Sequence, residues 1–289
     1  MDPERFDPSF SFRYHDVGDV NLYVASAGPA DAKSTVVMLH GFPEFWFTYR
    51  HQMVALAAAG YRVVVPDLRG YNKSDRPGRV DDYRVEHLVA DVRGLLRALG
   101  TERVHLVGHD WGGEVAWRFA MQHPECLERL AVLNLPHPVM LMRGLRTLKQ
   151  LRKSWYMAFF QLSGVAERLL SAGDFAALRK LYLDEGFSLE VANTFIDAFR
   201  GPRALTSALN WYRAAARSLA QGTTPKIKVI ETPTLVIWGW GDLALGEELA
   251  VPPMRWVPNQ RVEFIPDGTH WVQEHAHQKT SELLIEFFG

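Results

Sequence analysis

Short β-branched segments alternate with longer helical patterns along most of the chain, and this alternation limits the fold more than any other feature of the sequence. Apolar runs of about six residues are typical of strands buried on both faces of a parallel sheet. Residues 84–100 place apolar side chains at helical spacing and end in Gly100, which favours helix termination. Residues 10–28 favour an antiparallel edge hairpin that turns around Gly18. The sequence therefore predicts an α/β fold with a mostly parallel sheet flanked by helices. Its predicted strands are residues 34–39, 62–67, 103–108, 127–134, 234–239 and 261–266.

The strand pattern stops in the second half of the chain and later resumes. Between residues 137 and 225, aromatic segments with helical spacing replace the strands. We interpret this stretch as a helical cap, or lid, inserted into one α/β core. The core then consists of residues 1–136 and 226–289, with the cap at 137–225.

Composition limits the classes of partner. Lys and Arg number 32 against 33 Asp and Glu, so there is no excess of positive charge to neutralise a nucleic-acid backbone. The chain begins with acidic residues and prolines where a secretory signal would have a basic start and an apolar run, so we expect a cytoplasmic protein. No apolar run reaches the ~18 residues of a spanning helix, and we expect no membrane partner. Cys126, the single cysteine, is expected to be a small buried residue.

A candidate nucleophile lies where the predicted strand at 103–108 runs into a helical pattern. The connecting sequence is Gly108-His109-Asp110-Trp111-Gly112. A nucleophile on such a strained strand-to-helix turn needs small residues two positions before and after it, and Gly108 and Gly112 provide them. Asp110 occupies the position where esterases of this kind carry serine. A carboxylate attacks saturated carbon and forms an alkyl ester, which favours an epoxide or a halide as the group displaced. The alternative interpretation is that Asp110 only caps the helix.

Two further residues complete a candidate catalytic triad. In this fold the chain order is nucleophile, acid, histidine. Asp242 and His270 both follow predicted strands, in that order. His270 would take a proton from water, and Asp242 would orient the imidazole and stabilise its cation. Asp267 is an alternative acid, although its place before a glycine is typical of a turn. We interpret Asp67 as a loop-ordering residue.

Ester hydrolysis also needs donors for a tetrahedral oxyanion. The first predicted buried strand ends in the sequence HGFPE at residues 40–44. We predict that the backbone N–H groups of Phe42 and Trp111 form the oxyanion hole. The alternative is that HGFPE is only a turn between strand and loop.

The motifs HGFPE, GHDWGG, WGWGD and GTHW, in this order, resemble those of the epoxide hydrolases of the α/β-hydrolase fold over essentially the whole chain. The resemblance implies conversion of a small apolar epoxide and water to a vicinal diol. It also implies two cap tyrosines, Tyr156 in SWYMAFFQ and Tyr212 in LNWYR, which would donate to the alkoxide as the ring opens. Carboxylate, imidazole, phenols and water complete this chemistry, so no metal or organic cofactor is implied. Residues named as apolar pocket lining are Phe45, Trp46, Phe159 and Phe160.

Three alternatives remain open from the sequence. Aromatic residues on cap helices are commonly core residues, and nine tyrosines make a chance pair easy. A haloalkane or haloacid dehalogenase would use the same nucleophile, although a departing halide needs no proton and would leave Tyr156 and Tyr212 without a purpose. A noncatalytic receptor could retain the pocket of this fold.

Overall fold

The computed structural model describes residues 2–289, which form one eight-stranded sheet with the order β1-β2-β4-β3-β5-β6-β7-β8. The hairpin of β1 and β2 is antiparallel, β2 is antiparallel to β4, and the remaining neighbours are parallel. The predicted α/β fold, with its mostly parallel sheet and edge hairpin, is confirmed. The strands are β1 Ser11–Asp16, β2 Asn21–Ala27, β3 Thr35–Leu39, β4 Arg62–Pro66, β5 Val104–His109, β6 Leu127–Leu133, β7 Thr234–Gly241 and β8 Gln260–Thr269.

Helices connect the parallel strands, and a longer helical segment separates β6 from β7. The α-helices are α1 Arg50–Ala58, α2 Val85–Ala98, α3 Trp111–Gln122, α4 Pro138–Gly144, α5 Leu148–Lys153, α6 Trp155–Phe159, α7 Val165–Asp184, α8 Leu189–Asp197, α9 Ala204–Ala220, α10 Val272–His275 and α11 His277–Phe288. Short 3-10 helices lie at Pro3–Arg5, Trp46–Tyr49, Val80–Tyr83, Pro124–Cys126 and Glu247–Leu249.

The helices α4 to α9 form an insertion between two neighbouring strands. β6 and β7 pair in parallel from Leu130 and Thr234 onward, so the chain leaves the sheet after β6 and returns beside it. Connections between parallel strands must cross over the sheet, and here the crossover carries the whole helical segment. The insertion therefore begins after the carboxyl end of β6 and ends before the amino end of β7.

The central strands form the core of the protein. Every residue of β3 and β5 is buried, and the apolar side chains of both strands belong to one continuous core. Burial on both faces explains why these segments read as unbroken apolar runs. Leu39 of β3 pairs with Gly108 of β5, so the two strands end side by side. The loops that follow β3, β5, β6, β7 and β8 consequently meet at one edge of the sheet, where α/β proteins place their sites.

Among residues 2–289, no helix has both the length and the apolar character needed to cross a membrane. Cys126 is buried and free, as predicted.

Candidate active site

The turn after β5 holds Asp110 in a strained backbone conformation. Its φ is +48°, a value that non-glycine residues adopt rarely and that costs about 1–3 kcal/mol. Added Cβ atoms at the flanking glycines would collide with backbone. At Gly108 the Cβ would lie 2.3 Å from the carbonyl oxygen of Gly112, and at Gly112 it would lie 2.1 Å from the carbonyl oxygen of Leu39. The requirement for small residues on both sides of Asp110 is confirmed.

The Asp110 carboxylate points back toward the end of β3. Its Oδ1 accepts a 2.8 Å hydrogen bond from the backbone N–H of Phe42. Apart from the Trp111 amide at the first residue of α3, the side chain makes no capping hydrogen bond to that helix. Burial raises the pKa of Asp110 above its ordinary value, while His270 and the amides of Phe42 and Trp111 favour the charged form. Asp110 is therefore a buried carboxylate whose charge depends on its histidine neighbour and on two backbone donors.

His270, which follows β8, lies between the two aspartates. Its Nδ1 is 2.8 Å from Oδ2 of Asp242, and its Nε2 is 3.8 Å from Oδ2 of Asp110. Burial alone would lower the pKa of His270, but the charge and hydrogen bond of Asp242, together with the charge of Asp110, raise it to about 9. Asp267, the alternative acid, is an exposed residue of β8. The three side chains of the predicted triad are brought together, with Asp242 as the partner of the imidazole.

Asp242 accepts hydrogen bonds from two backbone amides and from Asn134, a residue that the sequence analysis did not identify. Its Oδ1 accepts hydrogen bonds of 2.8 Å from the amides of Ala244 and Leu245, and its Oδ2 accepts one of 2.8 Å from Nδ2 of Asn134. These bonds and His270 lower the pKa of Asp242 despite its burial. Asn134 comes directly after β6, and a polar residue at the carboxyl end of a buried parallel strand was the signal that could have identified it.

A second polar layer lies beneath the triad. Nδ1 of His109 is 2.9 Å from Oε2 of Glu44, and both side chains are fully buried. Nε2 of His109 is 2.9 Å from the carbonyl oxygen of His270. Burial disfavours the charged form of Glu44, but His109 lowers its pKa below the ordinary value. This layer ties the loop after β3 to the loop after β8 and fixes the backbone at His270.

A cavity of about 520 Å³ opens above Asp110, between the carboxyl edge of the sheet and the inserted helices. Its surface is mainly apolar, with the carboxylate and imidazole at the base. The lining includes Phe42, Pro43, Asp110, Arg152, Lys153, Trp155, Tyr156, Phe159, Phe160, Leu178, Leu181, Tyr212, Leu243, His270 and Trp271.

Two tyrosines from the insertion line this cavity. Tyr156 belongs to α6 and Tyr212 to α9, and their ring centroids lie 6.0 Å apart. The Tyr212 ring packs edge-on against Trp111, at 5.0 Å, and Phe42, at 5.6 Å. Burial and the nearby charge of Asp110 raise the pKa of both phenols well above the ordinary value. Both phenols therefore stay protonated in neutral solution and can donate.

Comparisons with known proteins agree with this geometry. A family model described as alpha/beta hydrolase fold matches residues 34–276. AB hydrolase superfamily protein YfhM of Bacillus subtilis is 39% identical, over 93% of this chain and 94% of that protein. Epoxide hydrolase 1 of Caenorhabditis elegans is 34% identical, over 96% of this chain and 70% of that protein. The crystal structure of Bacillus megaterium epoxide hydrolase in complex with an inhibitor has a TM-score of 0.87 and 31% identity, over 96% of this chain and 99% of that chain. The chain belongs to the epoxide hydrolases of the α/β-hydrolase fold.

These relatives favour an epoxide hydrolase over the dehalogenase alternative. Epoxide hydrolase 4 of Mus musculus, 35% identical over 97% of this chain and 80% of that protein, adds to the same group.

Among residues 2–289 of this epoxide hydrolase, no group of three or more His, Cys, Asp or Glu side chains is arranged to hold a metal ion.

Two of the residues expected to line the pocket of this epoxide hydrolase do not line it. Phe45 and Trp46 are at most 2% exposed and belong to the core. The chain turns into the 3-10 helix Trp46–Tyr49 directly after Phe45, which directs the Trp46 ring toward Phe12, at 5.1 Å. The Phe45 ring packs on Phe195, at 5.7 Å. The prediction was wrong because position next to the HGFPE turn does not determine the direction of a side chain. Phe159 and Phe160, by contrast, do line the cavity.

Asp67, interpreted as a loop-ordering residue, has that role. It accepts hydrogen bonds from the amides of Trp46 and Lys73 and from Nδ2 of Asn72. These bonds fix the loop after β4 against the loop after β3, so the buried carboxylate stabilises the site without facing the cavity.

Proposed function

We propose that this epoxide hydrolase converts small apolar epoxides to vicinal diols through a covalent alkyl ester on Asp110. The observation that carries the proposal is the approach of His270 Nε2 to within 3.8 Å of Asp110 Oδ2, at the base of an apolar cavity. A carboxylate in this position can displace an epoxide oxygen from saturated carbon, and the imidazole is placed to activate water against the resulting ester.

In the first step a lone pair of Asp110 forms the ester bond to one epoxide carbon. The bond between that carbon and the epoxide oxygen breaks, and its electrons remain on the oxygen as an alkoxide. The alkoxide takes a proton from Tyr156 or Tyr212. Both phenols line the cavity. General acid catalysis of this kind contributes about 10²–10⁴-fold.

The two carboxylate oxygens of Asp110 have different roles in this proposal. Oδ1 already accepts the hydrogen bond from the Phe42 amide, whereas Oδ2 faces His270. Attack by Oδ2 leaves Oδ1 as the carbonyl oxygen of the ester. The amides of Phe42 and Trp111 then stabilise the charge that develops on Oδ1 during hydrolysis.

Ester formation changes the state of His270. Before the reaction the charges of Asp242 and Asp110 hold its pKa at about 9, so the imidazole is protonated at neutral pH. The ester removes the charge of Asp110, and the pKa of His270 falls. The proton that His270 releases returns to the phenolate that was left when the tyrosine protonated the alkoxide. The neutral imidazole can then accept a proton from water.

In the second step the activated water attacks the ester carbonyl carbon. The tetrahedral intermediate collapses with cleavage of the bond between that carbon and Oδ2, which leaves with the diol, and the water oxygen stays in the Asp110 carboxylate. One water proton goes to the diol as it leaves, and the other stays on the imidazole. This restores the pair of Asp110 carboxylate and His270 imidazolium.

We further propose that residues 137–225 act as a cap over a core formed by residues 1–136 and 226–289. Support comes from the origin of the cavity walls, since Tyr156 and Tyr212 both come from the insertion between β6 and β7. A cap excludes bulk water from the reacting groups and strengthens the electrostatic interactions within the cavity.

A parallel assay tests the proposal. Purified protein is incubated with styrene oxide and, separately, with a bromoalkane, and diol and halide are measured, with Asp110→Ala as the control. We expect diol without halide release, lost in the variant. Repeated single turnovers in oxygen-18 water should also place label in the Asp110 carboxylate. Diol that persists in Asp110→Ala, or a carboxylate without label, would contradict the ester mechanism.

A further inference from the structure

We infer that a surface beside the cavity mouth docks on anionic lipid bilayers. We call it the mouth surface and define it by Arg143, Arg146, Leu148, Leu151, Arg152 and Trp155, on and around α4 to α6. It comprises a cationic part and an apolar part, which are described in turn.

The apolar part of the mouth surface is unusually open to solvent. Leu148 is 74% exposed, Trp155 is 66% exposed and Leu151 is 48% exposed. Leu148 and Leu151 lie one turn apart on α5, and Trp155 begins α6 two residues after α5 ends. Leu162 and Leu169 extend the exposed apolar side chains along the next segment. Clustered exposed apolar residues of this kind mark sites of protein or membrane contact.

The cationic part of the mouth surface differs in charge from the chain as a whole. Residues 138–165 contain five Lys or Arg and no Asp or Glu, whereas the whole chain has a net charge of −1. Within residues 2–289, the exposed side chains of Arg143, Arg146 and Arg152 form no ion pair with an acidic side chain. Free guanidinium groups are suited to phosphate and carboxylate, which they bind through paired donors.

The remaining two cations of this segment are already engaged. Lys149 pairs with Glu247 and Glu248. Nζ of Lys153 donates to the carbonyl oxygens of Asp242 and Leu245. Arg143, Arg146 and Arg152 have no acidic partner, although Arg143 donates to Sδ of Met140, and these three arginines therefore provide the charge that a partner would meet.

The combination of Arg with exposed Leu and Trp favours a lipid surface as the partner. Helices that lie in a membrane interface carry Lys and Arg on the polar side and Trp, Phe and Leu on the other, and anionic lipid provides both matching environments at once. The expectation of no membrane partner rested on the absence of a spanning segment, which surface docking does not require.

The position of this surface gives docking a purpose. Arg152 and Trp155 both line the cavity that contains Asp110, so the mouth surface borders the entrance. Apolar epoxides partition from water into bilayers, and docking would turn the entrance toward that reservoir. This purpose rests on the proposed function, whereas lipid binding itself does not.

Vesicle co-sedimentation of the full chain tests the inference. Phosphatidylcholine vesicles with and without about one third phosphatidylserine are compared at low and high salt. The test variant combines Arg143→Gln, Arg146→Gln and Leu148→Ser, three exposed residues that do not line the cavity. We expect wild-type protein to bind the anionic vesicles, and the variant to lose about 25-fold in partition coefficient from its two arginines alone.

A matched control combines Lys226→Gln, Lys228→Gln and Leu219→Ser. It removes the same charge and an exposed leucine from outside the mouth surface, and it should bind like wild type. The inference is overturned if wild-type protein does not bind anionic vesicles, if it binds neutral vesicles equally, or if both variants lose binding alike. It is also overturned if analytical ultracentrifugation shows a dimer for wild type and a monomer for the test variant, because a second copy of the chain would then cover the mouth surface.

The design separates this inference from the proposed function. Diol formation from styrene oxide in free solution should be the same in the test variant and in wild type. Absence of vesicle binding with normal turnover would reject docking alone. Absence of turnover with vesicle binding would reject the proposed reaction alone.

Discussion

The backbone N–H of Phe42 donates a 2.8 Å hydrogen bond to Oδ1 of Asp110, so the loop after β3 and the turn after β5 are in direct contact at the nucleophile. This approach depends on Gly41. A Cβ at that position would lie 2.4 Å from Cβ of Asp110 and 2.6 Å from its Oδ1. The absence of a side chain at Gly41 therefore allows the Phe42 amide, the proposed oxyanion donor, to reach Asp110.

We accordingly expect Gly41→Ala to lower kcat/KM for styrene oxide by about 10²-fold or more, because displacement of reacting groups by about 1 Å has effects of that size. Gly78→Ala is the matched control, since its added methyl would meet only the end of the flexible Arg203 side chain. Steady-state kinetics on both folded variants gives the comparison. Full activity in Gly41→Ala would show that the contact is not needed.

Removal of the cap phenols should slow the first chemical step. In the double variant Tyr156→Phe/Tyr212→Phe we expect ester formation to fall by about 10²–10⁴-fold, with a smaller loss in each single variant because the other phenol still donates. Tyr83→Phe is the control, since it loses a partly buried hydrogen bond to the Pro77 carbonyl outside the cavity. Rapid-quench measurement of the ester distinguishes this step from hydrolysis. Unchanged ester formation in the double variant would assign both residues to packing.

The sequence predicted which residues meet at the carboxyl edge of the sheet because the constraints there are local. Gly108 and Gly112 are required by contacts of their own backbone, and strand ends bring Asp242 and His270 to the same edge whatever the loops do. The backbone bonds of a parallel sheet thus determine where these residues lie.

Side-chain direction and long-range partners could not be predicted in the same way. Phe45 and Trp46 adjoin the oxyanion turn in sequence, but the 3-10 helix that follows directs them into the core. The Asn134 amide reaches Asp242 across 108 positions of chain, and no local pattern encodes that contact. Arg152 lines the cavity because α5 packs on the loop after β7, where Gln150 donates to the carbonyl oxygen of Ala244 and Lys153 to that of Asp242. These contacts join distant parts of the chain.

Loss of the imidazole should stop the reaction at the ester. In His270→Gln we expect a stoichiometric adduct of epoxide mass on the peptide that contains Asp110, because alkylation needs no base and hydrolysis does. Intact-protein and peptide mass spectrometry after mixing with excess styrene oxide detects it. The double variant Asp110→Ala/His270→Gln is the control and should carry no adduct. An adduct at another residue would reject Asp110 as the nucleophile.

The raised pKa of His270 also has a consequence for stability. Asp242 and Asp110 outweigh the effect of burial and raise this pKa from 6.5 to about 9. The folded protein therefore binds the proton more tightly than the unfolded chain does. The contribution to the free energy of unfolding is fully present below about pH 6.5 and is lost as the pH rises through about 9.

Urea unfolding at closely spaced pH values measures this loss. We expect the free energy of unfolding to fall between pH 7 and 9 with a slope of at most about 1.4 kcal/mol per pH unit, the limit for one proton. His270→Gln should make this slope smaller. Burial raises the pKa of Asp67 and Glu274 to about 7, so these two carboxyls contribute near pH 7 in both proteins, and the difference between the two curves isolates His270. If the plots of unfolding free energy against pH stay parallel for wild type and variant above pH 7, His270 is not protonated in the resting enzyme. The proposed link between ester formation and deprotonation of His270 would then be wrong.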